Sequence, residues 1–137
     1  MKTACFIFTF ICILTSTLIA GPEEDVSKSA QSFYSAYLKV LVGSQDTKSW
    51  ILKSDKVTSS FKKAYATYMK DPGSDPIICA QDYPDAGFKV SAAKINGNNA
   101  TVTLMSKDPA FAHTFRAAFI QKEAKWLLTG TDEIKAK

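Results

Sequence analysis

The apolar positions along this chain change their rhythm once. From residue 22 to about residue 42 they recur at helical spacing: Val26, Ala30, Phe33, Tyr37 and Leu41, with Tyr34 and Leu38 broadening the stripe. Pro22 suits the first turn of such a helix, Glu23, Glu24 and Asp25 favour its positive end, and Gly43 follows its close. Asp46 is placed to cap a short second helix carrying Trp50, Ile51 and Leu52. The spacing predicts a third helix over residues 56–70, with Val57, Phe61, Ala64, Tyr65, Tyr68 and Met69 on its buried side. Asp71-Pro72-Gly73 stops it.

Residues 71–87 form an irregular connection holding three Pro, four Asp and two Gly. Connections this long in a small domain are functional or tightly packed. Beyond it the period falls to two. Residues 88–95 and 100–106 read as strands joined by the hairpin signal Asn96-Gly97-Asn98-Asn99. A third strand over residues 112–121 puts Phe115, Ala117 and Phe119 on one face and Arg116, Ala118 and Ile120 on the other. Residues 122–125 turn the chain into a last strand, 125–134, around Trp126 and Leu128. Helices first and an antiparallel meander afterwards make an α+β fold. Its N-terminal helices pack against a curved antiparallel sheet of about four strands.

The first twenty residues belong to a different object. Lys2 supplies a positive start, residues 4–20 carry no charge, and the densest apolar run is residues 6–14. Thr15, Ser16 and Thr17 are more polar, and Leu18 and Ala20 fit the −3 and −1 sites of a signal-peptidase cut. Residues 1–20 therefore read as a cleavable secretory signal, and residues 21–137 as one exported domain, periplasmic or extracellular. A membrane anchor is the alternative. It asks for about 20 strongly apolar residues, a length the three hydroxylated residues interrupt.

Composition then sharpens the picture. The 46% apolar fraction over 137 residues mixes leader and domain; the domain alone is roughly 42% apolar, enough for a core of its own. Of three cysteines, Cys5 and Cys12 leave with the leader, so Cys79 stands alone and no disulfide framework exists. Behind Ile77 and Ile78, it reads as a small buried hydrophobe rather than a nucleophile. The formal charge falls from +4 to +3 with the loss of Lys2, and Arg116 is the only arginine. That balance argues against nucleic acid as a partner. One Cys and one His leave zinc without ligands, and the aspartates lack the Asp-x-Asp spacing of a calcium loop. No cofactor or metal is expected. Asn99-Ala100-Thr101 matches a glycosylation sequon on an exposed turn.

The aromatic-rich first helix, the hairpin FKVSAAKINGNNATVTL and the closing strands HTFRAAFIQ and KWLLTGTDEI carry a family likeness. Their order resembles the nuclear-transport-factor-two-like, or ketosteroid-isomerase-like, cone fold across nearly all of residues 22–134. The run CAQDYPDAGFKV and the ending KWLLTG look like a small secreted bacterial branch of that superfamily, made of domains of unknown function. The resemblance implies a sheet curled over the first helix, and a homodimer through the sheet's outer face, where Thr101, Thr103 and Arg116 are the test residues. Enzymes of the superfamily hold an acid or base inside the cone, often Asp with Tyr or His. The residues that could play those roles are Asp82, Tyr83 and Asp85 on the connection and His113 and Arg116 on the third strand.

No enzyme motif of the superfamily maps onto this chain residue for residue. Asp82 and Asp85 flank Pro84, where turn capping explains them more simply than catalysis does. The expectation is thus an exported, non-catalytic binding module whose partner is an envelope protein, a toxin or a small apolar ligand. A small cone enzyme doing acid–base chemistry on an apolar molecule is the alternative. A third possibility, a cystatin-like inhibitor, lacks its Gln-x-Val-x-Gly loop here.

Overall fold

The computed structural model of the chain describes residues 21–135, so the predicted signal peptide lies outside the described residues. Three helices precede a four-stranded antiparallel sheet, in the order α1 (Pro22–Val42), α2 (Thr47–Lys53), α3 (Ser59–Tyr68), β1 (Phe88–Asn96), β2 (Asn99–Ser106), β3 (Thr114–Lys122) and β4 (Lys125–Thr131). The strands lie side by side in sequence order, a meander. Among the described residues no helix is long and apolar enough to cross a membrane.

The α+β architecture follows the predicted change of period. The first helix begins at Pro22 and ends before Gly43, with the three acids in its first turn. It buries Val26, Ala30, Phe33, Tyr34 and Tyr37 as expected, and also Val40. Asp46 caps α2, its carboxylate accepting from the Ser49 backbone N–H at 3.1 Å and hydroxyl at 2.6 Å. Only Ile51 of that helix is fully buried, and Leu52 faces outward.

The third helix starts later than its periodicity predicted. Thr58 takes the cap position, its hydroxyl accepting from the Phe61 N–H at 3.2 Å, so Val57 falls outside the helix. Residues 56–58 instead pair in parallel with β4. Leu128 donates to the Lys56 carbonyl at 2.9 Å, and Thr58 donates to the Leu128 carbonyl at 3.0 Å. The cap wins because it satisfies a helix-end N–H while freeing Val57 to be buried against the sheet.

Two register shifts bend the sheet, one between Val90 and Ala92 and one between Ala118 and Phe119. Phe115, Ala117 and Phe119 line the inner face as predicted, with Phe88, Val102, Leu104 and Leu128 beside them. That face is filled by α1, where Tyr34 meets Phe115 edge-on at 5.3 Å and Phe33 stacks parallel to Tyr37 at 6.5 Å. On the outer face Thr101 and Arg116 are exposed and Thr103 is half-buried. The third strand begins at Thr114 rather than residue 112, and β4 ends at Thr131 rather than 134, where the Thr131 N–H turns to the Ile134 carbonyl.

Both sheet edges are partly closed. Residues 56–58 cover β4, and on the far side the Gln31 side chain pairs with β1. Its amide N–H donates to the Phe88 carbonyl at 2.8 Å, and its oxygen accepts from the Val90 N–H at 3.2 Å. A single amide thus occupies two strand positions. Replacing Gln31 with Ala should cost about 1 kcal/mol, less than two full hydrogen bonds because water can reach the freed groups; urea unfolding measures it.

The two hairpins differ in strain. Gly97 supplies φ +60° between Asn96 and Asn99, as the turn signal required. Between Lys122 and Lys125, Glu123 and Ala124 take φ +49° and +62° without a glycine or asparagine. Left-handed Ala is the less tolerated of the two. Ala124→Gly should therefore raise stability by about 1 kcal/mol, read as a higher urea midpoint at unchanged slope.

Candidate functional site

The five residues singled out from the sequence do not meet. Asp82 is exposed, and its carboxylate accepts from the backbone N–H of its neighbour Tyr83 at 2.8 Å, which is turn chemistry. Tyr83 packs half-buried against the core. Asp85 is exposed beside a shallow recess under the end of α1. His113 sits among the rings of Phe88, Phe111 and Phe115, and its Nε2 donates to the Ile78 carbonyl at 2.8 Å. Arg116 lies on the outer face, where Asp132 accepts from its Nε at 3.0 Å and pairs with Nη2 at 2.9 Å. Arg116 is thus engaged on the face of the sheet opposite the core.

The long connection is packed rather than open. Asp75 is its centre. One carboxylate oxygen accepts from the N–H groups of Ile77 and Ile78 at 2.8 and 3.3 Å, and the other accepts from the Tyr37 hydroxyl at 2.6 Å. Pro76 is tied to the sheet by the Thr131 hydroxyl at 2.7 Å. Glu133 holds the Tyr68 and Ser74 hydroxyls at 2.6 and 2.9 Å. Ile77 and Ile78 are thereby buried, while Cys79, expected to be buried with them, is half-buried at φ +54°. The turn that inserts the two isoleucines carries the cysteine back toward the surface.

These groups are not poised for proton transfer. Burial, then the charge of Asp75, raises the Tyr37 hydroxyl far above its usual range, and the same two causes push Tyr65 up to about 12. Burial also raises Tyr34 strongly and lifts the Cys79 thiol. All four stay protonated at neutral pH, and a protonated thiol is a poor nucleophile. A recess of about 280 Å³ has Asp75 and Tyr65 in its wall, but both Asp75 oxygens already accept protein hydrogen bonds. Among the described residues no three His, Cys, Asp or Glu side chains converge as metal ligands would.

A concavity of about 630 Å³ lies elsewhere. One wall is a face of α1 formed by Asp25, Lys28, Ser29 and Ser32. Asp55 and Lys56, leading into the strand-like segment on β4, form a second. The β3–β4 hairpin supplies Gln121, Lys125 and Trp126, with strained Ala124 at its tip. Phe33 and Phe119 floor the groove from the core.

Two features make this groove chemically distinct. Trp126 is only 7% exposed, and its indole N–H, shielded from solvent, has no acceptor among the protein groups. A buried donor without a partner costs about 1–3 kcal/mol, and its shielding keeps groove occupants as well as water from reaching it. Lys28 is held by Glu24 at 2.6 Å. Among the described residues Lys56, Lys125, Asp25 and Asp55 form no ion pair, which leaves both signs of charge open to the groove.

Sequence reasoning placed Trp126 in the last strand but gave it no role. Nothing in the local pattern says that its N–H lacks a partner, because that depends on α1 and residues 55–56 crossing the hairpin end. No family model matches the chain, and no curated protein or solved structure matches it either.

Asp75→Ala should free the Tyr37 hydroxyl and two backbone N–H groups together. We expect a loss of about 2–3 kcal/mol with new proteolytic cleavage inside residues 71–87. Cleavage unchanged from the parent would show that Asp75 does not organise the connection.

Proposed function

We propose that this chain is an exported, cone-like binding module without catalysis of its own, and that its ligand seat is the groove between α1, residues 55–56 and the β3–β4 hairpin. The observation that carries the reading is a concavity of about 630 Å³ whose lining brings Asp25, Asp55, Lys56 and Lys125, none of them in an ion pair among the described residues, together with Ser29, Ser32 and Gln121. Pockets that bind small molecules pair a shaped cleft with a few polar groups that fix orientation. This groove has that form, whereas the five acid–base candidates are dispersed over two faces and a loop.

Export rests on the leader read from residues 1–20, and the cone on the meander and long first helix that carried the resemblance. Filling of the sheet's inner face by Phe33, Tyr34, Phe88 and Phe115 moves the binding reading from the cone's interior to the groove at its end. Its charged walls also favour a polar ligand over the apolar one expected from sequence.

The test joins location to occupancy. Protein recovered from the periplasm of an expressing bacterium should begin at Gly21 by N-terminal sequencing. In ¹⁵N-labelled protein, the Trp126 indole signal should shift when the small-molecule fraction of that host is added. A chain retaining residues 1–20, or an indole signal indifferent to every fraction, would overturn the corresponding half of the proposal.

A further inference from the structure

Independently of the groove, we infer that the outer face of the sheet docks an acidic protein, one of whose carboxylates anchors between Arg116 and Lys135. Alternation and register put Lys89 and Lys94 of β1, Thr101 and Thr103 of β2, and Arg116 and Lys122 of β3 on that face. Lys135, bridged to Gly130, extends it past β4. All five cations are exposed, and among the described residues none of the four lysines forms an ion pair. The acids beside them are Asp132, held by Arg116, and Glu123, at the corner beyond Lys122. Five cations against two acids gather on one face most of a formal charge of +4 for the whole chain.

One lateral row centres the face. Lys94, Thr101, Ala118, Gly130 and Lys135 are successive register partners across the sheet. At about 4.8 Å per strand step the two lysines stand about 19 Å apart along the backbone, with small residues between them. A recess of about 330 Å³ opens at the Lys135 end, with Thr101, Arg116, Ala118 and Lys135 in its lining. Asp132 lines it too, yet its acceptors are taken. Oδ2 accepts from the Arg116 backbone N–H at 2.8 Å, and Oδ1 meets Nε at 3.0 Å and Nη2 at 2.9 Å. What the recess still offers is donors: Nη1 of Arg116, the Lys135 ammonium and the Thr101 hydroxyl. The Arg116 side chain is 67% exposed, so an incoming group can reach it. A carboxylate entering there makes charge-assisted hydrogen bonds with donors that Asp132 leaves free.

Charge and side-chain type choose among the occupants. A second copy would set this face against its like, and like charges across an interface cost affinity; the homodimer that the resemblance implies does not suit it. A lipid surface is gripped by apolar side chains that enter it, and on this face only Met105 is both large, apolar and exposed. A nucleic acid would find one arginine fork. An acidic protein meets the lysines with carboxylates at irregular spacing. Half-buried Ile120 and Leu127, register partners beside the cations, give it the apolar contact that ordinary interfaces include.

An acetylated, amidated octaglutamate peptide serves as the probe, titrated into ¹⁵N-labelled protein. We expect saturable shifts at the amides of Thr101, Ala118, Thr129 and Lys135, and binding weakened about fivefold or more between about 20 and 200 mM salt. The double variant Lys94→Glu/Lys135→Glu should weaken the peptide about tenfold or more. Lys63→Glu/Lys70→Glu makes the same change of net charge at exposed positions of α3 and the turn after it, and should weaken it less than twofold. Equal weakening by both pairs would show that net charge acts and not this face, and would overturn the inference. So would silence toward octaglutamate while heparin or phosphatidylglycerol vesicles move the same amides. Shifts confined to the groove at Lys56 and Lys125 would overturn it as well, as would a dimer in sedimentation equilibrium that Lys94→Glu/Lys135→Glu alters.

Discussion

Everything in this fold depends on one aromatic contact surface, the stripe of Phe33, Tyr34 and Tyr37 pressed onto Phe115 and Phe88. With no disulfide among the described residues, a domain of this size holds its helices to its sheet mainly by buried area, with the Gln31 amide and the bridge at residues 56–58 beside it. Tyr34 of α1 meets Phe115 of β3 edge-on at 5.3 Å, Phe115 meets Phe88 of β1 at 5.1 Å, and within α1 Phe33 lies against Tyr34 and Tyr37 at 5.3 and 6.5 Å. They set the height of α1 above the sheet. That height decides whether Asp25 and Ser29 face Trp126 across a cleft or touch it.

The same surface explains why the tyrosine hydroxyls of the interior hold their protons. Packing it with rings leaves the hydroxyls of Tyr34 and Tyr37 in a medium that disfavours charge, so they remain protonated. Tyr37 gives its proton's bond to Asp75, and Asp75 in turn shapes the connection that seals the end of the core. A polar network has become a latch. Four charged groups without an ion pair among the described residues, Asp25, Asp55, Lys56 and Lys125, gather near the start of α1, where the hairpin and residues 55–56 come together without filling the space between them.

Much of this architecture could be read from the chain, and the misses share a cause. Helix one and the two hairpins announce themselves because their signals are local: Pro22 and Gly43 at the ends, Asn96-Gly97 at a turn, alternation through Phe115, Ala117 and Phe119. The late start of helix three was hidden, since Val57 keeps helical spacing with Phe61 yet belongs to a parallel bridge with a strand seventy residues away. Asp82, Asp85, His113 and Arg116 looked like chemistry by residue type alone. Their partners, a neighbour's N–H, a carbonyl across the connection and Asp132 behind the sheet, are facts of tertiary placement. The groove was illegible for the same reason. Its walls come from three segments with no shared motif, and its clearest sign is an absent partner.

One small device carries a further consequence. By laying the Gln31 amide along β1 at Phe88 and Val90, the helix fills the place where the strand of another molecule would dock. The bulge after Val90 and the exposed Lys89 and Lys94 make the remainder of that margin a poor template, and residues 56–58 occupy the opposite one. Any chain completes its folding among identical copies of itself. With both flanks of its sheet occupied by its own residues, each molecule that finishes folding stops being a seed for fibrils among those that have not.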